Sequence, residues 1–258
     1  MKVLLFDIDG TLIRAGGAGR LALNHAARNL FGKEQVCDEF SLAGRTDLWN
    51  FTTACRLATR RPVAGRAVAR LHREYLRLLP GYVRRAQRSK TYVLPAGVQA
   101  LLRRLVREPG ILLGLGTGNV ERGARIKLAP SGFNAYFRFG GFGSDGFRRE
   151  TILRKAAQRA RRLAGRRIPA RDVYVIGDTP HDVTAGRRAG FVTIAVGTGF
   201  SSWRLLQEAR PDHLARDFRG MEKWLRWFGI RKPPIARAAS PRPRKKQRPC
   251  PRTSARRS

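Results

Sequence analysis

Apolar residues fall in two rhythms along this chain. Four short runs, Lys2-Val3-Leu4-Leu5-Phe6, Ile111-Leu112-Leu113-Gly114-Leu115-Gly116, Val173-Tyr174-Val175-Ile176 and Val192-Thr193-Ile194-Ala195-Val196, lack any polar alternation. Runs of that kind read as strands covered on both faces, as in a parallel sheet. Tyr136 to Phe139 and His213-Leu214 add two shorter strands. Elsewhere the spacing is helical. Residues 18–31 place Leu21, Ala22, His25, Ala26 and Leu30 on one side, and Asp47 to Arg60 and Ala64 to Leu79 give two more helices. The second of these starts after Pro62 and stops near Pro80-Gly81. Pro95 opens a helix at its first turn that runs to about Arg107, and Pro109-Gly110 stops it. Further helices pass through Ile126, Lys127 and Leu128, then span Arg149 to Leu163, Val183 to Ala189, Ser202 to Glu208 and Met221 to Phe228.

Strands alternating with helices predict an α/β fold, a Rossmann-like parallel sheet with helices on both faces. No alternating strand stands between residues 15 and 90, so residues 16–90 read as an all-helical insertion. The α/β core then comprises residues 1–15 and 91–229. Residues 230–258 turn to Pro, Arg, Ser and Lys and carry too few large apolar residues for a core, so a disordered tail is expected.

Composition narrows the class. The chain has 258 residues and 42% hydrophobic content, enough for a packed core, with no apolar run of membrane-spanning length. Asp7 and Asp9 interrupt the stretch where a signal peptide would have its apolar region. Cys37, Cys55 and Cys250 have neither metal-ligand spacing nor an even count, so a cytoplasmic protein without a disulfide framework is expected. The formal net charge is +35; residues 231–258 hold 11 Lys and Arg and no acid, which leaves +24 on the rest. That balance calls for an anionic partner, whether nucleic acid, a membrane surface or a phosphorylated metabolite. The arginines are spread over every helix instead of clustering, which makes the charge weak support for nucleic acid and somewhat better support for an anionic substrate.

Candidate chemistry collects where strands end. The first run stops in Asp7-Ile8-Asp9-Gly10-Thr11-Leu12. Two carboxylates at the edge of a core are costly without a partner, and a hard cation with oxygen ligands is one such partner. An Asp-Gly turn whose acids cap the next segment is the other reading. The second run ends in Thr117-Gly118-Asn119 and the third in Gly177-Asp178-Thr179-Pro180-His181-Asp182. In open parallel sheets ligands bind beyond the carboxyl ends of strands, so three polar endings would meet at one edge.

These three segments, in this order, resemble the first, second and fourth motifs of the haloacid dehalogenase superfamily. Phosphoglycolate phosphatase-like members are the nearest in character, and the likeness extends over residues 1 to about 228. The resemblance implies that residues 16–90 are a mobile cap, with Gly16 to Gly19 as its hinge. It also implies a phosphatase acting on a small phosphorylated metabolite. Asp7 would be the nucleophile that forms an aspartyl-phosphate, and Asp9 the general acid and base. Asp7, the main-chain carbonyl of Asp9, Asp178 and Asp182 would hold Mg²⁺, with Asp182 in or just outside that shell. Gly10, Thr117, Gly118 and Asn119 would surround the phosphoryl group. An acid at Asp9 suits an alkoxide leaving group, which needs a proton, and has no use in carbon–halogen cleavage.

The family's third motif supplies a lysine, and residues 141–150 contain none. Arg148 is the expected substitute, Arg149 the next, with Lys127 and Lys155 further off; an arginine is bulkier and always charged, so it is no simple replacement. Arg45 is expected to close over the anionic end of the substrate, whereas Thr46 and Asp47 read as helix caps. His181 reads as an exposed spacer. The competing function is a nucleic-acid-binding or nucleotide-directed protein with weak or no phosphatase activity, carried by the basic surface and tail. A phosphonate hydrolase would need a Schiff-base lysine in the cap, and Lys33 and Lys90 stand in no such context. Neither the particular ester nor the oligomeric state is legible in the residues.

Overall fold

A computed structural model describes residues 1–230. The expected disorder of the tail concerns residues outside that part. Six strands form one parallel sheet: β1 (Lys2–Phe6), β4 (Ile111–Gly116), β5 (Phe139–Gly141), β6 (Val173–Gly177), β7 (Val192–Val196) and β8 (His213–Ala215). Their spatial order is β5-β4-β1-β6-β7-β8, with β1 paired in parallel to β4 on one side and to β6 on the other. The order therefore reverses beside β1, the switch point at which open α/β sheets bind ligands. The expected Rossmann-like α/β architecture is the one observed.

Alternation along β1 explains why its sequence is apolar throughout. Leu4 and Phe6 point into one side of the sheet and Val3 and Leu5 into the other, and all four are fully buried. Burial of such side chains is worth about 1.5–3 kcal/mol each. The helix α6 (Arg149–Ala164) covers the Val3 and Leu5 side with Leu153, Ala156, Ala157 and Ala160. On the other side lie α4 (Val98–Leu105) and α5 (Glu121–Leu128), together with the terminal helix α9 (Met221–Trp227). The helices α7 (Pro180–Ala189) and α8 (Trp203–Glu208) complete the layers.

After β1 the chain passes through β2 (Arg14–Ala15), which pairs antiparallel with β3 (Tyr92–Val93). This two-stranded ribbon was invisible in the sequence because neither strand exceeds two residues. It brackets α1 (Ala18–Phe31), α2 (Asp47–Thr59) and α3 (Gly65–Arg88). These helices pack on one another, with the Phe51 ring 5.1 Å from that of Tyr75.

Four local expectations need correction. The helix predicted to stop at Pro80 continues to Arg88, because Leu71, Tyr75, Leu79, Val83 and Ala86 form an unbroken buried stripe. Burying it outweighs the roughly 3 kcal/mol that a proline costs inside a helix. Leu21 is 41% exposed, since α1 turns Ala18, Ala22, Leu23, Ala26 and Ala27 inward instead. The helix after Pro95 begins only at Val98: Gly97 has φ +83° and a β-carbon there would lie 2.5 Å from the Phe218 carbonyl carbon. The short strand is β5, three residues later than expected, because Phe133–Tyr136 forms a 3-10 turn and Phe137 fills the core 5.9 Å from Phe6.

Candidate active site

Three strand ends meet beside β1. Asp7 follows β1, where its N–H donates to the Ile176 carbonyl at 2.9 Å, and Asp178 follows the adjacent β6. Asp182 stands one turn into α7, in a reciprocal cap with Thr179. The Thr179 N–H and hydroxyl donate to Asp182 Oδ2 at 3.1 and 2.7 Å, and the Asp182 N–H donates to the Thr179 hydroxyl. That cap fills Oδ2 and leaves Oδ1 directed elsewhere. Asp178 is held by the Thr11 hydroxyl at 3.0 Å on Oδ1 and by the Phe200 N–H at 3.2 Å on Oδ2. Gly10 lies so close that a β-carbon would fall 2.4 Å from Asp178 Oδ2, and its φ is +84°. Glycine is therefore required at this turn by both space and backbone.

Ligand atoms of Asp7, Asp178 and Asp182 all lie within 4.8 Å of one another, and the three residues are buried. Among the described residues, Arg149 is the cation that pairs with two of them. Arg149 Nη2 is 2.8 Å from Asp7 Oδ2 and 2.6 Å from Asp182 Oδ1. The second contact is close enough for an ion pair, yet Asp182 Oδ1 has no aligned hydrogen bond. Burial pushes the Asp7 carboxyl up to about 6 against the pull of Arg149, with Asp182 and Asp9 adding to the rise. Burial, Asp182 and Asp7 likewise drive Asp178 well above the usual carboxylate range. Burial opposes the Arg149 charge, but Asp182 and Asp7 overcome it and its pKa rises. Among the described residues, the three acids thus share the Arg149 guanidinium. An all-oxygen donor set with surplus negative charge and an orphaned carboxylate oxygen fits a hard divalent cation.

The cation beside Asp7 is Arg149 and not Arg148. Arg148 is the exposed residue preceding α6, whereas Arg149 is 8% exposed and turns into the sheet edge. One residue along a helix rotates the side chain by about 100°, so adjacent arginines meet opposite environments. Lys155 is exposed two turns further on. Lys127 is buried, with Nζ 2.6 Å from both Asp9 Oδ2 and Asn119 Oδ1. Its signal in the sequence was a lone lysine within the apolar arc of α5.

Asn119 ties this second group together. Its Nδ2 donates to Asp9 Oδ2 at 2.9 Å and to the Thr117 hydroxyl at 2.8 Å. Thr117 is fully buried and Gly118 follows it directly. The Asp9 side chain therefore belongs to the Asn119 and Lys127 group and not to the acid cluster, leaving only its main-chain carbonyl for a metal.

Residues from α1 to α3 roof the site. The N-terminus of α2 docks on the loop after β4: the Asp47 N–H donates to the Gly118 carbonyl at 2.7 Å, and Asp47 Oδ2 accepts the Val120 N–H at 2.9 Å. Thr46 caps α2 by accepting the Trp49 N–H, as expected. A β-carbon on Gly118 would stand 2.3 Å from the Arg45 carbonyl oxygen, so the two segments touch through backbone. Arg45 itself is exposed, with its guanidinium 4.7 Å over the Trp49 ring. The exposed His181 packs beneath Gly44, where a β-carbon would clash with its ring. Between roof and sheet edge is a cavity of about 480 Å³ whose lining includes Asp7, Asp9, Asp178, Arg149, Lys127 and Arg45.

The haloacid dehalogenase-like hydrolase family pattern matches residues 4–187. The chain belongs to this family. A phosphoglycolate phosphatase of Synechococcus elongatus is 28% identical over 219 residues, covering 83% of this chain and 92% of the relative. Among solved structures, CbbY from Rhodobacter sphaeroides in complex with phosphate superposes with a TM-score of 0.64 at 19% identity, covering 84% of this chain and 95% of that one. A predicted phosphatase from Clostridium acetobutylicum gives 0.64 at 18% identity, with 87% and 98% covered. Membership as a hydrolase of this family is what the three motifs implied. Among the described residues no helix is long and apolar enough to cross a membrane.

Proposed function

We propose that the chain is a Mg²⁺-dependent phosphatase that hydrolyses a small phosphomonoester through an aspartyl-phosphate on Asp7. The observation that carries this reading is the separation of two acids two residues apart. Asp7 stands among the buried acids and Arg149, while Asp9 is turned toward Asn119 and Lys127 and, among the described residues, makes its ion pair with Lys127. One acid is thus suited to attack and the other to proton transfer. Asp7, Asp178, Asp182 and the Asp9 carbonyl would hold the metal, which when bound supplies Lewis-acid neutralisation of the phosphoryl charge.

Asp7 attacks phosphorus as the bond to the ester oxygen breaks, and Asp9 delivers its proton to that oxygen. Water then attacks the aspartyl-phosphate, returning a proton to Asp9 and releasing phosphate and free Asp7. Arg149 balances charge on the nucleophile side, and the Thr117 hydroxyl and Gly118 N–H receive phosphoryl oxygens. Residues 16–90 serve as the cap, and Arg45 meets the substrate's distal end. A roofed cavity of about 480 Å³ suits a small metabolite better than a nucleic-acid strand. Buried, free Cys37 and Cys55 fit a reducing cytoplasm. The relative's name makes 2-phosphoglycolate the first ester to try. Replacing Asp7→Asn should abolish hydrolysis of 4-nitrophenyl phosphate in Mg²⁺ while leaving the melting temperature near or above that of the parent. Full activity in that variant refutes the proposal.

A further inference from the structure

Lys127 was outside the three motifs, yet it is among the most confined charges in the chain. Its side chain is 7% exposed, and the ammonium sits 2.6 Å from Asp9 Oδ2 and 2.6 Å from Asn119 Oδ1. Asn119 Nδ2 reaches the same Asp9 oxygen at 2.9 Å. Both donors therefore converge on Oδ2, and no hydrogen bond falls on Oδ1 among the described residues. Lys127 and the amide Nδ2 can only donate here, so Oδ2 must act as an acceptor. A proton carried by Asp9 then has one place to reside, Oδ1. That oxygen belongs to a side chain which is 35% exposed and lines the cavity.

The roof takes part in confining the pair. A β-carbon on Gly19, in the first turn of α1, would stand 3.2 Å from Lys127 Nζ and 3.6 Å from the Tyr75 hydroxyl of α3. Any larger residue at position 19 would press on the ammonium. Lys127 thus lies at the seam between residues 16–90 and the sheet, where closure excludes water and strengthens its bond to Asp9.

We propose that Lys127 is a positioning residue that locks the Asp9 proton on Oδ1, and that the seated roof completes this hold. The proposal rests on the phosphatase reading above. In the first half-reaction Oδ1–H gives its proton to the departing ester oxygen, and in the second Oδ1 takes one from the attacking water. Throughout, Oδ2 stays bonded to Lys127 and Asn119, so the carboxyl does not have to rotate between the two steps.

A leaving-group comparison tests this. An alkyl ester needs its oxygen protonated, whereas 4-nitrophenolate leaves with little help. The assay compares KM and the single-turnover rate of alcohol or 4-nitrophenol release, which reports the first half-reaction alone, in Mg²⁺ for 4-nitrophenyl phosphate and for the alkyl monoester turned over fastest in a panel of glycolate, glycerol and sugar phosphates. Lys127→Met should lower that release rate for the alkyl ester about 100-fold and for the aryl ester less than about 10-fold, since general acid catalysis is worth about 10²–10⁴. KM should stay within about threefold of the parent, because Lys127 is not assigned a contact with substrate. Should methionine at this buried site prevent folding, Lys127→Gln carries the same comparison. Equal losses on both esters, or no loss on either, overturn the positioning role while leaving the phosphatase reading intact. An Asp7→Asn variant that keeps its activity, or a parent inactive on every ester, overturns the reading itself and this proposal with it.

Discussion

Replacing Arg149 by methionine removes the cation that, among the described residues, pairs with both Asp7 and Asp182, and keeps only an unbranched apolar stem. In the native protein its Nη2 stands 2.8 Å from Asp7 and 2.6 Å from Asp182, with both carboxylates almost wholly buried. Breaking a buried pair by deleting one partner costs about 3–5 kcal/mol, because the remaining charge is left uncompensated. At about 2–4 °C per kcal/mol for a chain of this size, the melting temperature should fall by roughly 6–20 °C. The sign of the pH dependence follows from the acids. Asp7 is already pushed up to about 6 with Arg149 present, chiefly by burial. Without the arginine it must rise further. A carboxyl whose folded pKa exceeds its unfolded value stabilises the fold at low pH and loses that contribution as pH rises through the folded pKa. The deficit of the variant should therefore be small near pH 5 and large near pH 8. Calorimetry in EDTA at both pH values measures it, and Mg²⁺ at a hundred times its dissociation constant should restore about 2.7 kcal/mol. A loss under about 2 °C at pH 8, or a larger loss at pH 5, contradicts the charge argument.

Two other substitutions probe the roof. Burial pushes Asp47 up to about 6 in spite of the favourable Lys127 charge and the Val120 N–H. Its contribution is stabilising below about pH 4 and turns into a cost as pH passes 6, so Asp47→Asn should gain about 1–3 kcal/mol relative to the parent between pH 5 and pH 8; the same difference in melting temperature at both pH values would count against it. Pro80→Ala restores the missing N–H inside α3, and should raise the melting temperature by a few degrees in a thermal scan. An unchanged or lower value would mean that α3 bends at Pro80 to suit its packing.

The sheet was legible because both faces of its strands are buried, so Val3 to Phe6 and Val173 to Ile176 leave no polar mark of orientation. The helix predicted to end at Pro80 shows the limit of local rules, since a proline's cost is fixed while the value of a buried stripe depends on what lies across from it. Asp7, Thr117 and Asp178 were found because each terminates an apolar run. The cations were harder. Arg148 and Arg149 are neighbours in sequence, and only the rotation of α6 decides which one enters the site. Lys127 stood out only as a lone lysine within the apolar arc of its helix, and the arc did not show what would hold a charge there. What tolerates it is Asp9, 118 positions earlier in the chain.

The place of β1 at the centre of the sheet bears on how the polypeptide is made. The strand that leads into Asp7 and Asp9 is synthesised well before its partners, since β4 begins only at Ile111 and β6 only at Val173. At about 5–20 residues per second, a growing chain carries this apolar segment without a neighbour for roughly 5–20 s. Over the same interval α1, α2 and α3 emerge and can find one another through short-range contacts. The nascent chain would thus assemble its roof before it possesses a floor, and the unpaired β1 is the segment a ribosome-associated chaperone would have most reason to hold.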